Sequence, residues 1–237
     1  MIWYPNIDNL KTKYSNLDDE HNLVCHYIFE DKEPTLLGLL DILQYGLPMK
    51  PLDFWMRTLL FLQGVVSHHP CSEGNHRFAY ISTKIFLRKN GYLLKLLDEG
   101  ERFTRLVGDK LVGGNPIRNL KFVARWLKSA CFKKGDVVVA KFPFSNLTEF
   151  KVRLILLVGI MLESNDSVAL KISIKGKGES IPIHKEDIAK GKIRIEPSYV
   201  IIDQPIKIQE KNIRFKVAEL KEEILEQIKE KVRSLYQ

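Results

Sequence analysis

Cys131-Phe132-Lys133-Lys134-Gly135-Asp136-Val137-Val138-Val139 divides the chain by the period of its apolar residues. Upstream of it the apolar positions recur at helix spacing. Leu36, Leu37, Leu39, Leu40 and Leu43 form one face, with Thr35 placed to cap and Gly46 to stop. Phe54, Leu59, Phe61, Leu62, Val65 and Val66 form a second, more buried helix that carries His68 and His69 at its end. Phe78, Ile81, Ile85 and Phe86 line a third, closed by Asn90-Gly91, and a fourth covers Asn119 to Ala130. No strand pattern stands out before residue 131. Downstream the period shortens. Val137 to Phe142, Val152 to Met161 and Tyr199 to Ile202 are β-rich, as is Ile193-Arg194-Ile195. Val168, Leu170, Ile172 and Ile174 alternate with Ala169, Lys171 and Ser173, the pattern of a half-buried strand. Val217 to Leu235 reads as a terminal amphipathic helix with Leu220, Ile224, Leu225, Ile228 and Val232 inward. The expected fold is multidomain, α plus β: a helical domain over residues 1–131, then a small β-barrel with a terminal helix over 132–237.

Composition narrows the setting. The chain has 237 residues, 45% hydrophobic and 28% charged, which is ordinary for a soluble globular protein. Its net charge is +8, with 17 basic against 14 acidic side chains before residue 132 and 20 against 15 after it. A polyanionic partner fits that excess without being required by it. Cys25, Cys71 and Cys131 are too few and too scattered for a disulfide framework, so a reducing cytoplasm is expected. Met1-Ile2-Trp3-Tyr4-Pro5-Asn6 lacks the basic start and apolar run of a signal peptide. The most apolar segment, Leu52 to Val66, is interrupted by Asp53, Arg57 and Gln63 and is too short to span a bilayer, so no membrane partner is expected.

The chemistry concentrates in His69-Pro70-Cys71-Ser72-Glu73-Gly74-Asn75-His76-Arg77. A turn on Gly74 and Asn75 can aim successive backbone N–H groups at one anion, and a helix starting there adds its positive end. Glu73 suits a divalent metal held on phosphates, since Mg²⁺ prefers hard oxygen ligands. Arg77 offers a planar fork to phosphate oxygens. Histidine is the side chain that changes charge near neutrality, so His69 can accept a proton from a hydroxyl. A zinc cluster of His68, His69, Cys71 and His76 fits no standard ligand spacing.

This order and spacing resemble the signature of the Fic/Doc (death-on-curing) family, His-Pro-Phe-x-(Asp/Glu)-Gly-Asn-(Gly/Lys)-Arg. His69, Pro70, Glu73, Gly74, Asn75 and Arg77 match it, whereas Cys71 replaces Phe and His76 replaces Gly or Lys. The resemblance covers roughly residues 20–130. It implies an α-helical bundle that transfers phosphate or AMP from ATP–Mg²⁺ to a hydroxyl of a target protein of the translation machinery. His69 would be the base, Glu73 the metal ligand, and Gly74, Asn75, His76 and Arg77 the nucleotide-phosphate site. In Fic members that transfer AMP the position of His76 is usually Gly, and in Doc members that transfer the terminal phosphate it is usually Lys. Histidine is nearer to Lys, and Tyr80 stands where many AMP-transferring members carry a second arginine, so phosphate transfer is favoured. The inhibitory string (Ser/Thr)-x-x-x-Glu-(Gly/Asn) is absent, which leaves restraint to a separate antitoxin or to the second domain.

A second resemblance covers roughly residues 132–237. Phe132-Lys133-Lys134-Gly135-Asp136-Val137-Val138-Val139, then Phe142-Pro143-Phe144 and Lys151-Val152-Arg153, is similar to the opening of PemK/MazF-type toxins. That family implies an SH3-like barrel, a homodimer and cleavage of single-stranded RNA without cofactor. Arg153 and Ser173 would be the catalytic pair, with Leu154 replacing the family's Pro and Ser173 its Thr. Lys175 and Lys177 are the candidate RNA contacts. The chemistry is coherent, because a guanidinium and a hydroxyl can stabilise the charge that builds on phosphoryl oxygens. Three readings stay open: a toxin-type fusion with a transferase, a ribonuclease whose first half regulates it, and a binding protein that grips an antitoxin or RNA without turnover.

Overall fold

The computed structural model describes residues 2–6, 8, 33–47, 52–71, 74–95, 116–143, 150–161, 164 and 166–236. Helices lead and strands follow, in two compact units: Met1–Asn90 with Leu94–Cys131, and Gly91–Leu93 with Phe132–Gln237.

In the first unit, α1 (Glu33–Tyr45), α2 (Phe54–His68), α3 (Asn75–Lys89) and α4 (Pro116–Ser129) pack around α2, which touches each of the others. The sequence explains that central place. Trp55, Leu59, Phe61, Leu62, Val65 and Val66 spread apolar surface around most of α2, so it must be covered from several sides. Gly64 lets α1 close in, since a methyl group there would overlap the Leu39 side chain. The Asp53 carboxylate caps α2 by accepting from the Met56 N–H at 2.8 Å. Thr35 falls inside α1 rather than at its cap, while Gly46 does end the helix in a left-handed conformation. At the far end of α3, the Asn90 carboxamide accepts from the Trp3 N–H (2.8 Å) and donates to the Trp3 carbonyl (2.9 Å).

The second unit is an antiparallel sheet of eight strands with a terminal helix. The strands are β3 (Asp136–Pro143), β4 (Phe150–Ile160), β5 (Asp166–Ser173), β6 (Ser180–Ile183), β7 (Ile188–Gly191), β8 (Ser198–Ile201), β9 (Ile206–Gln209) and β10 (Ile213–Leu220). Their order is β6-β8-β5-β4-β3-β10-β7, with β9 also on β5. Among the described residues no ladder joins β6 to β7, so hydrogen bonding leaves the sheet open rather than closing it into a barrel. A separate two-stranded sheet pairs β1 (Tyr92–Leu94) with β2 (Cys131–Lys133), and β1 is a strand that the helical period before residue 131 does not announce.

The sheet is buried on both faces. Val137, Leu156, Leu170, Ile172 and Val200 meet Leu225 and Ile228 of α5 (Glu222–Leu235) on one side. Val138, Ala140, Ile155, Leu157 and Ala169 meet Leu93, Phe132 and Ile208 on the other. β5 is therefore not the half-buried strand that its alternation implied: Ala169 is as buried as Leu170, and Ile174, past the strand's end, is 60% exposed. Truncating a residue such as Leu225 to Ala would cost about 2–5 kcal/mol.

Two other expectations are corrected. Ile193-Arg194-Ile195 is not a strand, and Ile188–Gly191 takes the edge place beside β10 instead. Val217 does not begin the last helix. Residues 213–220 form β10, whose backbone pairs with β3 on one edge and β7 on the other, and the helix starts at Glu222. Leu220 sits in the same core as Leu225, so its apolar character satisfied both periods.

A charged cluster ties β10 to the turn before β3. The Asp136 carboxylate, fully buried, accepts from the Lys133 N–H at 2.9 Å and from the Lys216 ammonium at 3.1 Å. Burial is the largest influence on Asp136 and pushes its carboxyl up, against the pull of those two donors. Burial works against the Glu219 carboxylate too, but there the Lys133 ammonium at 2.8 Å prevails and holds it below the ordinary range.

Candidate functional site

Each unit carries one candidate site. In the first, α2 runs out at His68, whose Nδ1 lies 2.9 Å from the Gly64 carbonyl. His69 follows as the C-cap, with φ 49° and ψ 61°, and its N–H donates to the Val65 carbonyl at 3.3 Å. Among the described residues it is the one non-glycine residue with positive φ. Such a conformation costs about 1–2 kcal/mol for a residue with a Cβ, and residues held this way concentrate at functional sites. The His69 ring is exposed and has no side-chain partner among the described residues.

The chain then passes through buried Pro70 and Cys71, and α3 begins at Asn75 behind Gly74, which takes the left-handed conformation at φ 67°. Gly74, as the N-cap, brings no side chain of its own to the first turn of α3, where the helix dipole is positive. Arg77 lies in this first turn, exposed, and His76 is half-buried beside it. Asn75 is buried. Its Oδ1 accepts from the Cys71 N–H at 2.8 Å and its Nδ2 donates to the Cys71 carbonyl at 2.9 Å. The carboxamide expected on a phosphate is thus engaged in closing the loop. Glu73, the expected metal ligand, lies outside the described residues, as does Ser72. Among the described residues no group of three or more His, Cys, Asp or Glu side chains is arranged to hold a metal ion.

The second site is built from strand register. Arg153 on β4 faces Ala140 on β3, and Ser173 on β5 faces Tyr199 on β8. Ile155 faces Lys171 in the β4–β5 ladder. That pair ends the ladder, and Arg153 and Ser173 lie two residues beyond it. Residues two apart on a strand, and residues directly opposed across a pair, project to the same face, so Arg153, Ser173 and Tyr199 share one face as a loose row across three strands. Leu154 points the other way and packs against the core that holds Ile172. Arg153 is exposed, and Ser173 and Tyr199 are half-buried.

The Ser173 hydroxyl accepts from the Lys175 N–H at 3.2 Å, which leaves its own proton free to donate elsewhere. Lys151, Arg153, Lys171, Lys175 and Lys177 cluster on and beside the row, and among the described residues none forms an ion pair. By contrast Lys207, Lys216 and Lys133 are each neutralised by a carboxylate. Tyr199 was not foreseen as a site residue. Only its register opposite Ser173 reveals it, and nothing in the sequence spacing signals that.

No protein-family model matches this chain, and no curated protein matches it.

Proposed function

We propose that the chain is a toxin-type fusion of a Fic/Doc-like helical bundle and a PemK/MazF-like module with an SH3-like barrel, and that its leading activity is transfer of phosphate from ATP to a hydroxyl of a target protein. The observation that carries this reading is the junction of α2 and α3. One helix ends on His69 in a strained backbone conformation. The next starts behind Gly74, which brings no capping side chain, and carries Arg77 in its first turn, while the Asn75 carboxamide holds the Cys71 backbone before it.

In this reading the α3 amides and Arg77 hold the polyphosphate, with Gly74 allowing close approach and His76 bordering it. His69 takes the proton as the target oxygen bonds to the γ-phosphorus. The bond from that phosphorus to the bridging oxygen breaks and ADP leaves. Attack at the α-phosphorus would leave AMP on the target and release pyrophosphate. Mg²⁺ commonly binds through one or two carboxylates plus substrate phosphates, and Glu73 is the single acidic side chain between His69 and Arg77. When bound, the ion would neutralise phosphate charge, while positioning and electrostatics supply most of the catalysis. The reading keeps a cytoplasmic setting, a translation-machinery target and a separate antitoxin. Among the described residues no helix is long and apolar enough to cross a membrane.

The test supplies ATP labelled at the α or the γ phosphate, with Mg²⁺ and native cell extract, beside a His69→Ala control. Label from γ on a protein band, lost in the control, is the expected outcome. Label from α would make the activity AMP transfer, and label that survives His69→Ala would remove His69 from the chemistry.

A second reading, metal-independent cleavage of single-stranded RNA, is favoured by the face shared by Arg153, Ser173 and Tyr199 and by the cations beside it, which form no ion pair among the described residues. Ribose O2′ would attack the adjacent phosphorus and expel O5′ of the next nucleotide, with Arg153 and Ser173 stabilising the phosphoryl oxygens. Cleavage that persists in EDTA and disappears in Arg153→Ala is its signature. A homodimer belongs to this reading, and cross-linking at low protein concentration tests it.

A further inference from the structure

Helix α4 carries four cations, Arg118, Lys121, Arg125 and Lys128, and no acidic residue. Without those four, residues 1–131 hold 13 basic against 14 acidic side chains, so α4 supplies the whole positive balance of that half. Leu120, Val123, Ala124 and Leu127 are buried on one side of the helix. Lys121, Arg125 and Lys128 are exposed on the other, and Phe122 beside them is 61% exposed. Among the described residues none of these three cations forms an ion pair.

That face works against its own helix. Lys121 and Arg125 stand four residues apart, and Arg125 and Lys128 three. Like charges at those spacings repel and destabilise a helix, whereas a face that only meets solvent is commonly laced with both signs. What this face provides instead is a row of positive charge about 10 Å long, with a large ring left mostly in water at its side.

The shape of the face selects the occupant. Steps of about 6 Å and 4.5 Å along the axis suit an anion that repeats, as phosphates do in a nucleic-acid strand. A bilayer needs an apolar face to insert, and the apolar side of α4 is buried, which leaves Phe122 alone. B-form DNA takes a whole helix into a major groove about 8.5 Å deep. Because α4 packs on α2, it offers one exposed side rather than a free cylinder. Double-stranded RNA instead presents a wide, shallow minor groove lined with ribose hydroxyls. A convex row of cations can reach the phosphates there while the ring packs on sugar.

We propose that the outer face of α4 docks double-stranded RNA by shape and charge, without reading sequence. Lys121, Arg125 and Lys128 contact phosphates, and Phe122 lies against ribose in the minor groove. This surface goes beyond both proposed activities and depends on neither.

The experiment titrates the full chain with a fluorescein-labelled RNA duplex of about 16 base pairs across a range of salt. For a duplex the slope of log K against log salt is about 0.9 per neutralised phosphate, so Lys121→Gln/Arg125→Gln/Lys128→Gln is expected to lower it by about 2.7. Lys185→Gln/Lys192→Gln/Lys231→Gln removes the same charge from exposed positions of the second unit and is expected to keep the slope. Phe122→Ala is expected to bind more weakly at the wild-type slope. Circular dichroism checks that each variant is folded.

No binding of the RNA duplex by the wild type, or a wild-type slope in the α4 triple variant, overturns the proposal. So does an equal fall in the control triple variant, since net charge alone would then account for binding. The DNA duplex of the same sequence, vesicles of equal phosphatidylserine and phosphatidylcholine, and a polyglutamate peptide are titrated in parallel. Tighter binding of any of these, lost in the α4 triple variant, would overturn RNA as the occupant.

Discussion

The two candidate sites, both proposed to meet phosphate, are built with opposite backbone strategies. At the α2–α3 junction the groups come from one contiguous stretch, and the backbone bends sharply to gather them: His69 and Gly74 both take left-handed conformations. On the sheet, Arg153 and Ser173 are ordinary strand residues twenty positions apart, set on one face by the pleat of β4 and β5 with no left-handed residue among the described ones there. One site stores its cost locally in a loop. The other spreads it over a sheet buried on both faces. Substitutions should therefore separate stability from activity at the first site and leave stability nearly untouched at the second.

The largest expected effect is at His69. His69→Gly should abolish transfer, a loss of about 10²–10⁴-fold for a general base, yet raise unfolding stability by roughly 1 kcal/mol by relieving the left-handed residue. A denaturant melt beside the labelled-ATP assay reads both numbers. A glycine variant that is inactive and also less stable would mean that His69 serves the fold. Arg153→Ala is next. RNA cleavage should fall about 10²–10³-fold, the scale of one lost electrostatic group, with the urea midpoint unchanged. A marked drop in that midpoint would tie Arg153 to packing and erase the contrast.

Asn75→Ala gives a smaller effect. It removes the two hydrogen bonds that the carboxamide makes to the Cys71 backbone, so stability should fall by about 1–3 kcal/mol. Asn75→Asp keeps the acceptor and loses the donor, and should fall between wild type and Asn75→Ala in the same melt. Equal stability of all three would show that the clamp does not hold the junction.

The smallest effect is in pH dependence. Asp136 has its carboxyl raised above 3.8 in the folded state. The folded state thus binds more protons than the unfolded one between 3.8 and the raised value, and this group's contribution falls as pH rises through that window. Glu219, lowered from 4.5, acts in the opposite sense: its contribution is present above that value and is lost as pH falls. Asp136→Asn should leave only the Glu219 behaviour, so the variant's advantage over wild type should grow between about pH 3 and 6. Urea midpoints across that range would show it. A difference that is flat with pH would mean that Asp136 does not titrate there.

What the sequence made legible follows from these strategies. Helices α2 and α3 were readable because long apolar faces at constant period leave few alternatives, and the junction was readable as a candidate site because its residues are neighbours in the chain. The geometry at Asn75 was not readable: a carboxamide beside a glycine turn can face a ligand or its own backbone equally well, and only the fold settles which. In the second unit the long strands around Val137 to Val139 and Val152 to Ile160 were visible. The short ladders β6, β7 and β9 were not: β8 is as short but carries the unbroken run Tyr199-Val200-Ile201, whereas Pro182, Lys190 with Gly191, and Lys207 interrupt the apolar residues of the other three. The misplaced start of the terminal helix has the same cause, since Leu220 faces one core whichever element carries it. Tyr199 was hidden more deeply, because its importance lies entirely in which residue stands across from it.

The Tyr236 hydroxyl donates to the Asp203 carbonyl at 2.7 Å, and Asp203 is the residue packed beneath Gly178. The residue that caps the end of α5 is therefore a handle on the backbone at Gly178. Tyr236→Phe would let go of that handle while leaving the apolar face of the helix in place.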